Sequence, residues 1–163
     1  MEISEFLASS LAQNAKMLKA TFADFTDAEL LVRPCEGANH PAWQLAHLVL
    51  SEAQMVSAAS KAHVAVVPAK VAQAGARENS SSDDASLFPT KAELIAAIDA
   101  VRSVSIEWAK TLQDPDLDTL GPEPMRAFIP TLGALSVILL EHAAMHLGQI
   151  QVARRKLGKP HIM

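Results

Sequence analysis

The chain has 163 residues, enough for one domain with a sizeable core; half are hydrophobic and 20% are charged, which argues against disorder. Its formal net charge of −4 excludes the broad basic footprint of a nucleic-acid binder, and no apolar run is long enough to span a bilayer. The single cysteine, Cys35, excludes an intrachain disulfide and suits a reducing compartment, so a cytoplasmic location is expected.

The absence of Tyr and the abundance of Ala lean the composition toward helix. A first helix is predicted from about residue 2 to about residue 24, because Ile3, Leu7, Leu11, Leu18 and Phe22 keep the spacing of a buried stripe. Asn14 falls on that stripe. Thr26-Asp27-Ala28-Glu29 has the form of a capping box, so a short helical turn is expected next. Arg33-Pro34-Cys35-Glu36-Gly37 reads as a loop.

A second helix is expected to begin near Asn39-His40-Pro41, with Asn39 as N-cap and Pro41 in the first turn, and to fade near Ser60. Trp43, His47, Leu50 and Gln54 share one of its faces. Residues 61–89 carry weak signals: a short extended piece over Val64–Val67, then the polar stretch Asn79–Asp84, which reads as the mobile segment of the chain. Thr90-Lys91-Ala92-Glu93 is a second capping box and opens a third helix through Leu94, Ile98, Val101, Trp108 and Leu112, stopped by Asp114-Pro115. A Pro-rich loop leads to Thr131, the expected N-cap of a fourth helix that runs to about Leu157 before Gly158 and Pro160 end it. The cluster Arg154, Arg155, Lys156 and Lys159 is expected to complement the dipole of that last turn rather than to bind an anion. Four amphipathic helices without a convincing strand predict an all-α four-helix bundle. The long connections permit a crossover.

The chemistry concentrates on the fourth helix. His142 and His146 lie four positions apart, which stacks two imidazoles on one face within reach of one ion. The pattern is half of a zincin motif. Position 143 is Ala where that motif has its glutamate, so a zinc-protease mechanism has no support. Leu135, Leu139, His142, His146, Gln149 and Ala153 form one stripe that should face the bundle interior. Buried imidazoles need partners for both nitrogens, and a metal supplies one to each. His47 has the corresponding inward phase on the second helix. Three neutral imidazoles leave a coordination position open, the pattern of a catalytic zinc site, and the same donors suit nickel, copper or iron. The pair also fits ordinary core histidines.

Gln44 and Gln149 lie one turn from these histidines and are candidates to hydrogen-bond their outer nitrogens, as is Asn14, which is also a candidate for substrate contact. Glu141 points about 100° away from His142 around the helix and is expected to meet solvent or a neighbouring helix. His40 is read as a capping-region residue, His63 as a loop residue and His161 as a tail residue.

Trp43-Gln44-Leu45-Ala46-His47-Leu48 resembles the helix-two motif of the DinB/YfiT-like family. Glu141-His142-Ala143-Ala144-Met145-His146-Leu147-Gly148-Gln149-Ile150 resembles its helix-four motif, and Arg154-Arg155-Lys156-Leu157-Gly158-Lys159-Pro160 is similar to its ending. In element order the resemblance spans nearly the whole chain, read as one domain over 1–163. It implies a four-helix bundle of unusual connectivity, a divalent metal, zinc or nickel, held by His47, His142 and His146, a small-molecule substrate and a homodimer. It further implies a thiol-dependent isomerase or S-transferase using a low-molecular-weight thiol, or an enzyme that activates water. A non-catalytic metal-binding stress protein is the alternative. A third reading is an interaction module whose histidines are core.

Overall fold

The computed structural model describes residues 2–162. It contains five α-helices, α1 (Ile3–Phe22), α2 (Pro41–Ala59), α3 (Ala69–Ala74), α4 (Lys91–Thr111) and α5 (Leu132–Lys156), joined by loops and short 3-10 turns. Apart from one isolated bridge between Leu120 and Thr131, no β pairing occurs among the described residues. The four long helices are those predicted, and α3 is an addition within the stretch whose pattern was weak.

Local chemistry sets the helix starts. Thr26 and Glu29 exchange hydrogen bonds ahead of the turn Glu29–Leu31, and Thr90 with Glu93 forms a complete capping box on α4. Thr131 Oγ1 accepts from Ala134 N at the start of α5. At α2 the expected cap is corrected by one residue. His40, fully buried, is the N-cap, and its Nδ1 accepts from Trp43 N at 3.2 Å. Asn39 instead offers its backbone carbonyl to Gln44 Nε2 at 2.8 Å.

The core has two clusters. One gathers Leu18 and Phe22 of α1, Leu45 and Val49 of α2, Leu94 and Ile98 of α4, and Leu147 and Ile150 of α5. The other gathers Leu7 and Leu11, Met55 and Val56, Trp108 and Ala109, and Leu135 and Leu139. Chain order through these clusters fixes helix direction: α1 and α5 run one way, and α2 and α4 run the other. The main packing pairs are α1 with α4 and α5, and α2 with α4 and α5. Consecutive α1 and α2 therefore sit across the bundle, and each helix has one parallel neighbour. The crossover allowed by the long connections is realised.

Between the two clusters lies a polar level. Glu52 of α2 pairs with Arg102 of α4 at 2.9 Å, both nearly inaccessible, and Ser105 Oγ donates to Glu52 Oε1 at 2.6 Å. Arg102 Nη2 also donates to Asn14 Oδ1 at 3.3 Å, while its Nε and Nη1 have no hydrogen-bond partner among the described residues. Asn14 thus serves this buried ion pair, not the histidines as expected, because its turn of α1 faces α4.

The basic C-terminal cluster does more than face a helix dipole. Arg154 is fully buried, pairs with Asp24 and donates to the carbonyls of Thr21 and Pro160. Lys159 pairs with Glu29 and donates to the Asp24 carbonyl, and Lys156 donates to the Arg33 carbonyl. These bonds tie the end of α5 to the segment that follows α1.

The stretch Asn79–Asp84, expected to be mobile, is tied down at its backbone. Arg33 donates to the carbonyls of Ser80 and Ser82 and pairs with Asp83, and His40 Nε2 meets the Ser82 carbonyl at 3.2 Å. No helix is long and apolar enough to cross a membrane among the described residues.

Candidate metal centre

His47, His142 and His146 come together where α2 faces α5. Each offers one ring nitrogen, and these atoms all lie within 4.8 Å of one another. The Nε2 atoms of His142 and His146 are 3.2 Å apart. A tetrahedral ion about 2.0–2.1 Å from each nitrogen would set such separations at roughly 3.3–3.4 Å. The donor set suits one divalent ion: His142 and His146 already stand near that separation, and the His47 nitrogen, within 4.8 Å of theirs, would have to close in.

The outer nitrogens are held by the protein. Gln44 Nε2 is committed to the Asn39 carbonyl, which turns its Oε1 toward His146 Nδ1 at 3.1 Å. That oxygen can only accept, so the ring proton belongs on Nδ1 and Nε2 presents its lone pair inward. His47 Nδ1 meets the Gly75 carbonyl at 3.3 Å, which favours the same tautomer. Trp43 stacks flat on His47, with ring centroids 4.6 Å apart and planes 7° apart, while its Nε1 donates to the Ala76 carbonyl. Gly75 and Ala76, at the end of α3, thus fix two α2 side chains at once. A Cβ on Gly75 would collide with the Ala46 carbonyl and stand 2.8 Å from His47 N, so only glycine permits this approach.

Burial keeps all three rings neutral. It lowers the pKa of His47, with the Arg77 charge acting the same way against the Gly75 contact. His142 falls to about 4 through burial and the neighbouring His47. His146 falls to about 3 through burial, His142 and His47, opposed by a contact from Gln149. Neutral imidazoles are the ligand form, so the centre is ready to bind a metal at neutral pH.

Beside His47 and His142 opens a cavity of about 560 Å³. Its wall is largely apolar, with Met55, Met125, Phe128, Ile138 and Met145, and it also includes Ser51, Gln54, Arg77 and Glu141. The cavity lies between α2 and α5, and neither Gln44 nor Gln149 lines it. Those two line a small surface pocket with Cys35, on the far side of His146. Gln149 is exposed and makes no well-aligned hydrogen bond with a histidine, because the buried stripe of α5 turns through His146 to Ile150. Ser80–Asp84 does not reach the cavity. The sequence pattern does not reveal Arg77, Ser51 and Gly75, whereas Glu141, expected to meet solvent or a neighbouring helix, is exposed and stands on the cavity wall. Only their neighbours across the helices reveal their places.

His40, His63 and His161 stay outside the centre. His40 caps α2, His63 bonds Ser60 Oγ at 2.9 Å, and His161 is exposed.

Residues 10–150 match the family model of the DinB superfamily. Among solved structures, the chain is similar to a conserved protein from Enterococcus faecalis, with a TM-score of 0.71 and 17% identity, covering 98% of this chain and 99% of that one. It is also similar to YfiT from Bacillus subtilis, described as a probable metal-dependent hydrolase with an unusual four-helix bundle topology, with a TM-score of 0.65 and 17% identity over 96% of this chain and 89% of that one. No curated protein matches the sequence.

Proposed function

The chain belongs to the DinB superfamily, and on that premise we propose that it is a metal-dependent enzyme acting on a small molecule. The observation that carries this reading is the convergence of three neutral imidazoles, two of which, His47 and His142, line a largely apolar cavity. His47, His142 and His146 would hold a divalent ion, zinc or nickel, which would supply the charge that lowers the pKa of a water or thiol beside them. The nucleophile is water, giving a hydrolase, or a low-molecular-weight thiol, giving an S-transferase or isomerase. The likeness to YfiT supports metal dependence. His47 and His146 are oriented by Gly75 and Gln44, and the largely apolar wall offers a substrate a packing surface beside them.

The active form is a homodimer in the cytoplasm. The lone exposed Cys35 is compatible with a reducing compartment, and the groove between α1 and α5, lined by Phe6, Ser9, Ser10 and Ala144, supports helix packing between copies. Light scattering should give twice the 17.4 kDa chain mass.

Cobalt titration tests the function. One equivalent should bind, and His146→Ala should abolish that binding. A sulfur-to-metal charge-transfer band with glutathione, bacillithiol or mycothiol selects the thiol reaction. No band, together with hydrolysis of activated esters, selects water. Metal binding with neither leaves the non-catalytic metal protein, and no stoichiometric binding overturns the reading.

A further inference from the structure

The apolar cavity carries one cation on its wall. Arg77 opens the turn Arg77–Asn79, directly after the two residues whose carbonyls hold His47 and Trp43. The backbone that presents Arg77 is therefore anchored to the centre itself. Arg33, Arg102 and Arg154 are each paired with a carboxylate; Arg77, like Arg126 and Arg155, has none within ion-pair distance among the described residues, but of these three only Arg77 lines the cavity. Arg77 lines the same cavity as His47 and His142. A guanidinium presents a planar fork of donors that matches a carboxylate.

We propose that Arg77 is the anion-recognising residue of this cavity, and that the ligand is a carboxylate joined to an apolar body that packs on Met55, Met125 and Phe128. This rests on reading the cavity as the reaction site. The volume of about 560 Å³ is in the range of small-molecule sites. Glu141, on the α5 wall beside His142, repels an anion placed on that side and so favours one orientation of the ligand.

The test uses 4-phenylbutyrate and its neutral counterpart 4-phenylbutanol, titrated calorimetrically into the full chain with and without zinc. The acid should bind about tenfold tighter than the alcohol in both conditions, the size of one charge-assisted hydrogen-bonded contact. Arg77→Ala should erase the preference, and Arg77→Lys should keep part of it. Arg77 is exposed and on a turn, so the variants should fold, with thermal melts as the control. Equal binding of acid and alcohol, no binding of either, or a preference that survives Arg77→Ala overturns the proposal. A preference seen only with zinc also overturns it, because the carboxylate then sits on the ion. The zinc-free arm separates this proposal from the metal reading, which fails or stands on the cobalt titration.

Discussion

Gln44 and His146, on facing helices, form a directional pair: the amide oxygen of one stands 3.1 Å from Nδ1 of the other, and the amide nitrogen is spent on the Asn39 carbonyl. The pair sets which nitrogen of His146 faces His142. Replacing Gln44 by Leu should lower metal affinity about 10–100-fold without abolishing the fold. Gln44→Glu retains an acceptor and should recover much of the loss. Competition against a chromophoric chelator gives both values, and unchanged affinity in Gln44→Leu would refute the orienting role.

Gly75→Ala should push the end of α3 away from α2. Overpacking of this kind costs about 1–3 kcal/mol. Because the Gly75 carbonyl also contacts His47, the variant should bind metal more weakly as well. Urea denaturation and the same chelator assay measure the two effects. A variant as stable as the parent, with parental affinity, would contradict the close packing described.

The metal-free protein should lose stability as pH falls. His142 and His146 stay neutral in the folded state down to about 4 and about 3, against 6.5 for a free imidazole. Between those limits the unfolded chain binds more protons, so unfolding is favoured progressively as pH drops below about 6.5. Above that value neither ring contributes a pH dependence. Urea midpoints from about pH 7.5 to about pH 5 should fall, and less steeply in His142→Asn/His146→Gln. Parallel slopes would remove the histidines as the cause.

Glu52→Gln should strongly destabilise the bundle. It leaves the Arg102 charge buried without its counter-charge, a loss of about 3–5 kcal/mol. Burial raises the Glu52 pKa, opposed by Arg102 and Ser105. Replacing both partners, as Glu52→Met/Arg102→Met, should cost far less than the single change. Denaturant titrations of the three proteins check the order, and an additive result would show that the two charges do not depend on each other.

Helix starts were legible because capping chemistry is local: Thr90 with Glu93 and Thr131 with Ala134 are contained within one turn of chain. The three histidines were legible from helical phase. Gln44 was legible as a partner because one turn of α2 separates it from His47, though its hydrogen bond goes to His146. Gly75 and Arg77 were not, because α3 shows no periodicity and its role exists only in contact with α2. Asn14 was misassigned for a related reason. Its phase showed that it points inward, but phase does not say which helix it meets. The basic cluster was read as a dipole effect because Asp24, its main partner, is 130 residues distant in sequence.

The separation of 102 residues between Gln44 and His146 has a consequence for how the chain acquires its centre. During synthesis α2 emerges long before α5, so His47 waits without its companions while most of the molecule is made. The centre can close only when α5 docks, and docking is secured by Arg154, whose bond to Thr21 spans 133 residues. Such long-range closure is slow, since loop entropy is lost before the contacts that offset it are formed. A divalent ion binding the completed triad would favour the docked state by mass action, so ion availability would govern the yield of folded chain as well as its chemistry.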